Sequence, residues 1–580
     1  MQKKLPVAVI TAVFVICCSC SGHGDDMENT GATSGKTAYE ATISEHMTEK
    51  TEPDPDDKIG QGQQLLIAIQ KDSRVSDYED NYLTRLLEED LDVQLDFVYL
   101  SSDASDQETA LSQMIAGGDP IPDIVIAQNL SQEMILEYGE NGVFLALDSY
   151  LEDPAMVKYF SQIPDESRET MIEGVRSADG HVYAMAHYSE ATWNQTTHRY
   201  YINQAWLDTL GLEMPETTEE LYEVLTAFVR EDPNGNGKMD EIGIYGRFQG
   251  TYGENVIHAL INSFVYYNPL PKTNYGLALN DDGTMVIAPF TTEEWKEAME
   301  YLHRLYEEGL MDPSVFYNSD DEFQEVVNRE ENVVGLVTTG SYQVTWPDSD
   351  SNENFLDMEM VGPFTGPDGI CYTPYEEFQP EPIAYITSSC ETPDIAFRVL
   401  DYFYKENVGR TSRWGEEGVD WTADPEVCRQ YTNGYVENGL ADGIRLVVLE
   451  NIWARPQNHH WRNLTPYFES MEESSSNCNI WALYDSSAKS APLNARNVEL
   501  YLDKKPEYLL PTLHYTEAEL EKIGDSMEQV TFYVNTAIME FITGERDVDA
   551  DWDQYLEGFK EIGLYQWVHT AQRAYEREIS

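Results

Sequence analysis

Basic residues are scarce in this 580-residue chain: Lys and Arg number 36 against 105 Asp and Glu, giving a formal charge of −69 at pH 7. Nucleic acid and anionic membrane surfaces are thereby excluded as partners, because binding either needs clustered cations that displace counterions. An anionic polymer is disfavoured as a ligand on the same ground. Cysteine is scarce as well. Of seven, three lie in the first 20 residues, leaving Cys371, Cys390, Cys428 and Cys478 for the rest of the chain. That is too few for a disulfide scaffold, and whether these four pair or stay as thiols is open. Catalytic signatures are missing too: there is no Gly-x-Ser-x-Gly, no His-Glu-x-x-His and no P-loop. The pair His459-His460 in PQNHHW has no partner at ligand spacing and reads as a loop. What is plentiful is apolar and aromatic residue, 41% and 12% of the chain, so it is globular and its excess acid solvates the surface.

The amino terminus has the layout of an export signal. Lys3 and Lys4 precede an apolar run from Leu5 to Ile16 that is too short to span a bilayer. CCSC follows, and it resembles the lipobox of bacterial lipoproteins, with Cys20 as the lipidated residue, although Cys17 stands where that motif has Leu. Residues 1–20 are thus expected to be a lipoprotein signal peptide. Residues 21–63, rich in Thr, Ser, Glu, Asp and Gly without apolar periodicity, are expected to be a disordered tether. Anchor, tether and acidic body together describe a protein held on the extracellular face of a bacterial cell membrane.

The body opens with short apolar runs alternating with amphipathic ones. QLLIAI at Gln64 to Ile69, a helix feeding a strand at Val93 to Leu100, and a helix ended by Gly117-Gly118 before a strand at Asp123 to Ala127 predict a parallel α/β sheet. In such sheets the ligand crevice lies beyond the carboxyl ends of the strands, which would place Gln128 and Asn129 there. Loop amides capping the next helix are the alternative for those two.

The stretch DPNGNGKMDE has oxygen side chains at Asp232, Asn234, Asn236 and Asp240, with Gly237 at the turn position of a calcium loop. Lys238 would offer its backbone carbonyl with its ammonium pointing away. The twelfth position, a Glu in an EF-hand, is Gly243 here, so Glu241 must supply the closing carboxylate. A structural Ca²⁺ is expected, and a surface turn that binds nothing is the alternative.

The run WLDTLGLEMPETTEELYEVLTAFVREDPNGNGKMDEIGI closely resembles the extracellular solute-binding lipoproteins of ABC importers, family 1, in the LipO and alginate-binding branch. AGGDPIPDIVIA, LYEEGLMDPSVF, GPFTGPDG, RWGEEGVDW, FITGERDVDADWDQYLEGFKEIGL and the terminal AYER resemble further segments of that branch in the same order, over about residues 64–576. The resemblance implies an α/β, two-lobed periplasmic-binding-protein-like clamp of type II, each lobe a mainly parallel sheet flanked by helices. It places the first lobe at 64–188 plus 384–410 and the second at 189–383 plus 411–580, with the calcium loop at 232–241.

Sugars present apolar faces and rings of hydroxyls, so their sites combine stacked aromatics with multidentate polar groups. At the crossovers and cleft loops of such a clamp the candidates are Glu190, Trp193, Tyr252, Tyr342, Trp421, Trp453 and Arg455. The expected function is capture of an oligosaccharide, neutral given the acidity of the chain, by a monomeric, non-enzymatic substrate-binding protein that delivers it to ABC permease subunits. An extracellular glycoside hydrolase is the main alternative, since two suitably spaced carboxylates suffice for that chemistry. A Ca²⁺-dependent adhesin is disfavoured by the single loop.

Overall fold

The computed structural model describes residues 55–579 apart from 102–103, 118–120, 129, 251, 348, 431–442, 451, 454 and 480–492. The export signal, Cys20 and most of the tether therefore lie outside the described residues. The described residues belong to one compact unit, which runs from Thr51 to Ser580. None of their helices is long and apolar enough to cross a membrane.

Two sheets organise the chain. The first is built on β1 (Gln63–Gln70), β2 (Val93–Leu100), β3 (Ile124–Ile126) and β4 (Ala184–Ser189). β1 and β2 pair in parallel register from Gln63 opposite Val93 to Gln70 opposite Leu100. The helix between them, Tyr82–Leu91, starts where Asn81 accepts a hydrogen bond from the Leu83 N–H, and ends at Asp92 in the left-handed conformation. Its Leu83, Leu87 and Leu91 recur at one-turn spacing and are buried against the sheet.

The second sheet begins with β5 (Arg199–Asn203) and β6 (Ile242–Tyr245); a small hairpin, β7 (Ala278–Leu279) with β8 (Val286–Ile287), lies apart from it. β9 (Val334–Thr339) and β10 (Met358–Val361) complete it in the order β10-β5-β9-β6. β11 (Glu381–Ile386) then returns to the first sheet. β12 (Trp421–Thr422), β13 (Leu446–Val448) and β15 (Asn477–Asn479) form a small third sheet, whereas β14 (Tyr467–Glu469) joins the first, whose order is β14-β4-β11-β3-β1-β2. The chain thus passes between sheets from β4 to β5, from β10 to β11, and again after β14, because helix Leu493–Tyr501 packs against β10.

Each large sheet has its own core. Leu65, Ile67, Ile69, Phe97, Phe397 and Trp461 belong to the first. Ile202, Trp206, Leu225, Phe228, Ile244 and Trp295 belong to the second. The class is the expected α/β, but the strand pairing departs from it. The first sheet keeps β1, β2 and β3 parallel and takes β11 antiparallel to both β3 and β4. In the second only β6 and β9 are parallel, while β5 runs antiparallel to both neighbours.

Two expected boundaries also move. The ordered body starts before residue 64: the buried Asp57 carboxylate meets Lys158 Nζ at 2.6 Å, Lys405 Nζ at 3.1 Å and the Tyr159 hydroxyl at 2.7 Å. Three partners for one carboxylate hold that segment down against the chain entropy expected of a tether. Part of the stretch after 410, assigned to the second lobe, stays with the first sheet: β14 pairs with β4, and Trp461 and Leu464 lie in the first core.

Candidate functional site

The crossing from β4 to β5 carries Trp193, which packs against the second core. The Arg199 guanidinium lies over the Trp193 ring at 3.4 Å and donates to the Gly340 carbonyl at 2.7 Å and to Asn497 Oδ1 at 2.6 Å. Trp193 Nε1 donates to the same Gly340 carbonyl at 2.8 Å. One face of the indole is thus covered by a wholly buried arginine, a pairing worth more away from water than in it. Tyr342 meets Trp193 edge to face at 6.1 Å and stacks on Phe355 at 5.4 Å. The Tyr252 hydroxyl bonds Asn194 Oδ1 at 2.5 Å, and its carbonyl accepts from the Gly340 N–H at 2.8 Å. Three of the expected ligand residues therefore converge. The glycines serve the backbone here rather than a ligand: a Cβ on Gly253 would lie 2.1 Å from the Thr197 carbonyl oxygen, and one on Gly340 would meet the Tyr252 ring at 2.6 Å.

A second group stands on the first core. Trp453 Nε1 donates to the Arg413 carbonyl at 2.9 Å, and the Arg462 guanidinium lies 4.4 Å from the Trp453 ring. His460 is 5.3 Å from the same ring, and Arg413 6.0 Å. The Arg413 guanidinium is largely buried among Trp414, Trp453 and Tyr467. Glu469 is 4.0 Å from its Nε, beyond a hydrogen bond, and its own oxygens accept from Ser189 and Asn477.

The other expected residues fall elsewhere. Trp421 is 0% exposed, donates to the Gly415 carbonyl and packs in the small third sheet, so it cannot touch a ligand. The Arg455 side chain is 54% exposed and ion-paired with Glu450 at 2.5 Å on the surface. Glu190 fastens the two strands of the first sheet's edge: its N–H donates to the Glu469 carbonyl and its carboxylate accepts from the Met471 N–H. Gln128 is half-buried just past β3, and Asn129 lies outside the described residues. His459 pairs with the buried Asp420, so the His459-His460 loop is internally satisfied on one side only. Arg413 and Arg199 were not singled out from the sequence, and His460 was read there only as part of a loop. Arg413 opens the RWGEEGVDW motif, and that was the available signal.

The acidic loop folds inward. Asp232, Gly235 and Gly237 all have positive φ, and Asp232, Asn234 and Asn236 accept from the N–H groups of Gly237, Asn236 and Lys238 in turn. Lys238 Nζ turns out to Glu331 at 3.0 Å. Asp232 Oδ1 and both carboxylate oxygens of the buried Glu241 have no hydrogen-bond partner. Burial, then repulsion from Asp232 and Asp240, raises the Glu241 carboxyl above its usual range. Buried carboxylate oxygens without donors fit a cation. Among the described residues no three His, Cys, Asp or Glu side chains are gathered around one point, so amide and backbone oxygens would have to complete any shell. Cys371, Cys390 and Cys428 are free thiols, and the Cys478 side chain lies outside the described residues.

No family model matches the chain. It is 23% identical over 533 residues to the fructooligosaccharide ABC transporter substrate-binding protein FusA of Streptococcus pneumoniae serotype 4, across 86% of this chain and 88% of that protein. The chain is a relative of the substrate-binding proteins of ABC transporters. Lipoprotein LipO of Bacillus subtilis is 29% identical over 262 residues, 44% of this chain and 47% of its own. In structure, S. pneumoniae FusA in complex with kestose superposes with a TM-score of 0.70 at 20% identity, covering 89% of this chain and 99% of that one; an EF-hand mutant of FusA with fructo-nystose gives the same score. The alginate-binding protein AlgQ2, solved without calcium ion, gives 0.68 at 19% identity over 89% and 98%. The fold is therefore that of the two-lobed solute-binding proteins, and these relatives are binding proteins rather than enzymes.

Proposed function

We propose that this chain is the lipid-anchored, extracellular receptor of a carbohydrate ABC importer, which captures an oligosaccharide between its lobes and delivers it to membrane permease subunits. The observation that carries the reading is the presence of two partly buried aromatic groups, Trp193 with Tyr342 against the second core and Tyr252 bonded to the neighbouring Asn194, and Trp453 beside Arg413. Partly exposed rings fixed by buried arginines give rigid stacking platforms at low entropic cost. Binding across both groups stabilises the closed form. Asp320 of the second lobe already bridges Arg74 and Arg247, each at 3.1 Å, and so adds a polar contact to closure. The first lobe is taken as residues 55–189 with 381–479, the second as 199–361 with 493–579, and the receptor as a monomer anchored through Cys20.

Asp232, Asn234, Asn236, the Lys238 carbonyl, Asp240 and Glu241 are assigned to a structural Ca²⁺, for which the unpartnered oxygens of Asp232 and Glu241 speak. The ion would brace the end of helix Thr218–Arg230 against β6, and an affinity on the order of 10⁻⁴ M would keep it bound outside a cell. The test is incubation with a panel of oligosaccharides, read by thermal shift and by product analysis. Stabilisation without new products is expected. New reducing ends would favour a glycoside hydrolase instead.

A further inference from the structure

We propose that the cavity beside helix Asp320–Val327, in the second lobe, binds a free α-amino acid, with Arg329 holding its carboxylate and Glu325 with Asn318 its ammonium group. The inference goes beyond the receptor reading and does not depend on it, since the cavity shares no lining residue with the groups around Trp193 and Trp453.

The cavity has a volume of about 220 Å³ and is lined from that helix, from the end of β6 and from the turn at 314–318. Its floor is fixed by the fold. Tyr245, 2% exposed, stacks on Phe323 at 5.6 Å with the rings 5° from parallel. Asn318, 7% exposed, donates through Nδ2 to the Gly246 carbonyl at 2.9 Å, which orients the amide and leaves Oδ1, buried and without a partner, as the atom it offers. Buried amide oxygens are satisfied almost everywhere in proteins, so one left open on a cavity wall marks a missing donor. At the rim, Glu322 is already engaged by its own helix, where it accepts from the Ser319 N–H at 2.8 Å. Glu325 and Arg329 are different: both are exposed, and neither side chain makes a hydrogen bond or ion pair among the described residues. A glutamate four residues before an arginine is the spacing at which a helix pairs the two. Here the helix stops at Val327 with Asn328 as its cap, so Arg329 leaves that face and both charges remain free on one cavity.

Size and charge together name the ligand class. Pockets for drug-sized ligands run from about 300 to 1,000 Å³, so this smaller one suits a single small molecule and excludes an oligosaccharide. A ligand of one sign would answer only one of the two free charges, whereas a zwitterion answers both. A guanidinium takes a carboxylate through two parallel N–H donors. An ammonium group donates three times and accepts nothing, so it needs acceptors alone, which are what Glu325 and Asn318 Oδ1 provide. Val326 and the ring of Tyr317, 75% exposed, supply apolar surface for the rest of the molecule.

The experiment titrates the full-length protein with calcium by calorimetry, using the standard amino acids one at a time, then the N-acetyl and amide derivatives of the tightest binder, with glucose as a neutral solute of similar size. At least one amino acid is expected to bind with a Kd below about 1 mM. Removing either charge from the ligand is expected to weaken binding at least tenfold, as are Glu325→Gln and Arg329→Gln in the protein, with an unchanged ligand-free Tm as the control for folding. In R329Q the amide derivative should bind as well as the parent amino acid, because the partner of the carboxylate is gone. No binding of any amino acid at millimolar concentration overturns the inference, and so does glucose binding in their place. Affinity equal in E325Q, R329Q and native protein overturns it as well, since the amino acid would then sit elsewhere. Loss of oligosaccharide binding in either variant would make the cavity part of the sugar site and would also overturn it.

Discussion

The loop at Asp232 to Glu241 and the Trp453 corner are both places where buried polar atoms stand without partners, and they differ in which atoms those are. In the loop they are carboxylate oxygens, Asp232 Oδ1 and both Glu241 oxygens, which can only accept. At Trp453 they are N–H groups of Arg413 and His460 with one amide oxygen of Asn463. The first set asks for a cation, the second for a group that accepts and donates. The kind of unsatisfied atom thus differs between the two regions, acceptors alone in the loop and donors with an acceptor near Trp453.

Removing the brace should have the largest effect on stability. With Ca²⁺ near a hundred times its dissociation constant, EDTA or Glu241→Gln is expected to remove about 2.7 kcal/mol, seen as a fall in Tm restored by Ca²⁺ but not Mg²⁺ in the native protein only. Sugar affinity at saturating sugar and 25 °C should stay within about twofold, and a collapse of binding would erase the distinction between the two regions. On the other side, Trp193→Ala is expected to cost about 2 kcal/mol of sugar binding, roughly 30-fold in Kd by calorimetry, with the calcium-dependent shift in Tm intact.

Acid sharpens the contrast by about 1 kcal/mol. Burial, then Arg462, pushes the His460 imidazole down to about 3, so it stays neutral in the fold while the unfolded chain takes up a proton below the ordinary value near 6.5. Its contribution is full above pH 6.5 and is lost progressively as pH falls toward 3. Denaturant melts at pH 7 and 5.5 should differ by on the order of 1 kcal/mol from this residue, a difference absent in His460→Gln, while neutral-sugar affinity holds over the same interval. Smaller still, Asp320→Asn should weaken sugar binding by about 0.5 kcal/mol, since a part-exposed ion pair contributes little, with a larger radius of gyration by X-ray scattering in the sugar-free protein. Arg455→Ala should change neither property by more than about 0.3 kcal/mol, because its pair with Glu450 is solvent-exposed.

The turn at Asp232 to Glu241 was readable from sequence because its oxygen side chains sit within ten residues, where spacing sets geometry. The first sheet was readable for a related reason: QLLIAI and VQLDFVYL carry their burial pattern locally, and β2 spans the expected residues. The second sheet's antiparallel pairing was not, since β5 reads like any buried strand and its direction depends on where the crossing from β4 lands.

What the sequence by itself determined is therefore the class of fold, the family it resembles, and the acceptor spacing of the turn at Asp232 to Glu241. Only the tertiary structure decided that Trp421 is a core residue, that Arg455 belongs to the solvent, and that Arg413 with His460 is left without acceptors. The physical reason is that a tryptophan in a core and one under a sugar, or a paired arginine and an unpaired one, are the same letter. Whether their hydrogen bonds are satisfied depends on residues that are distant along the chain and adjacent only after folding.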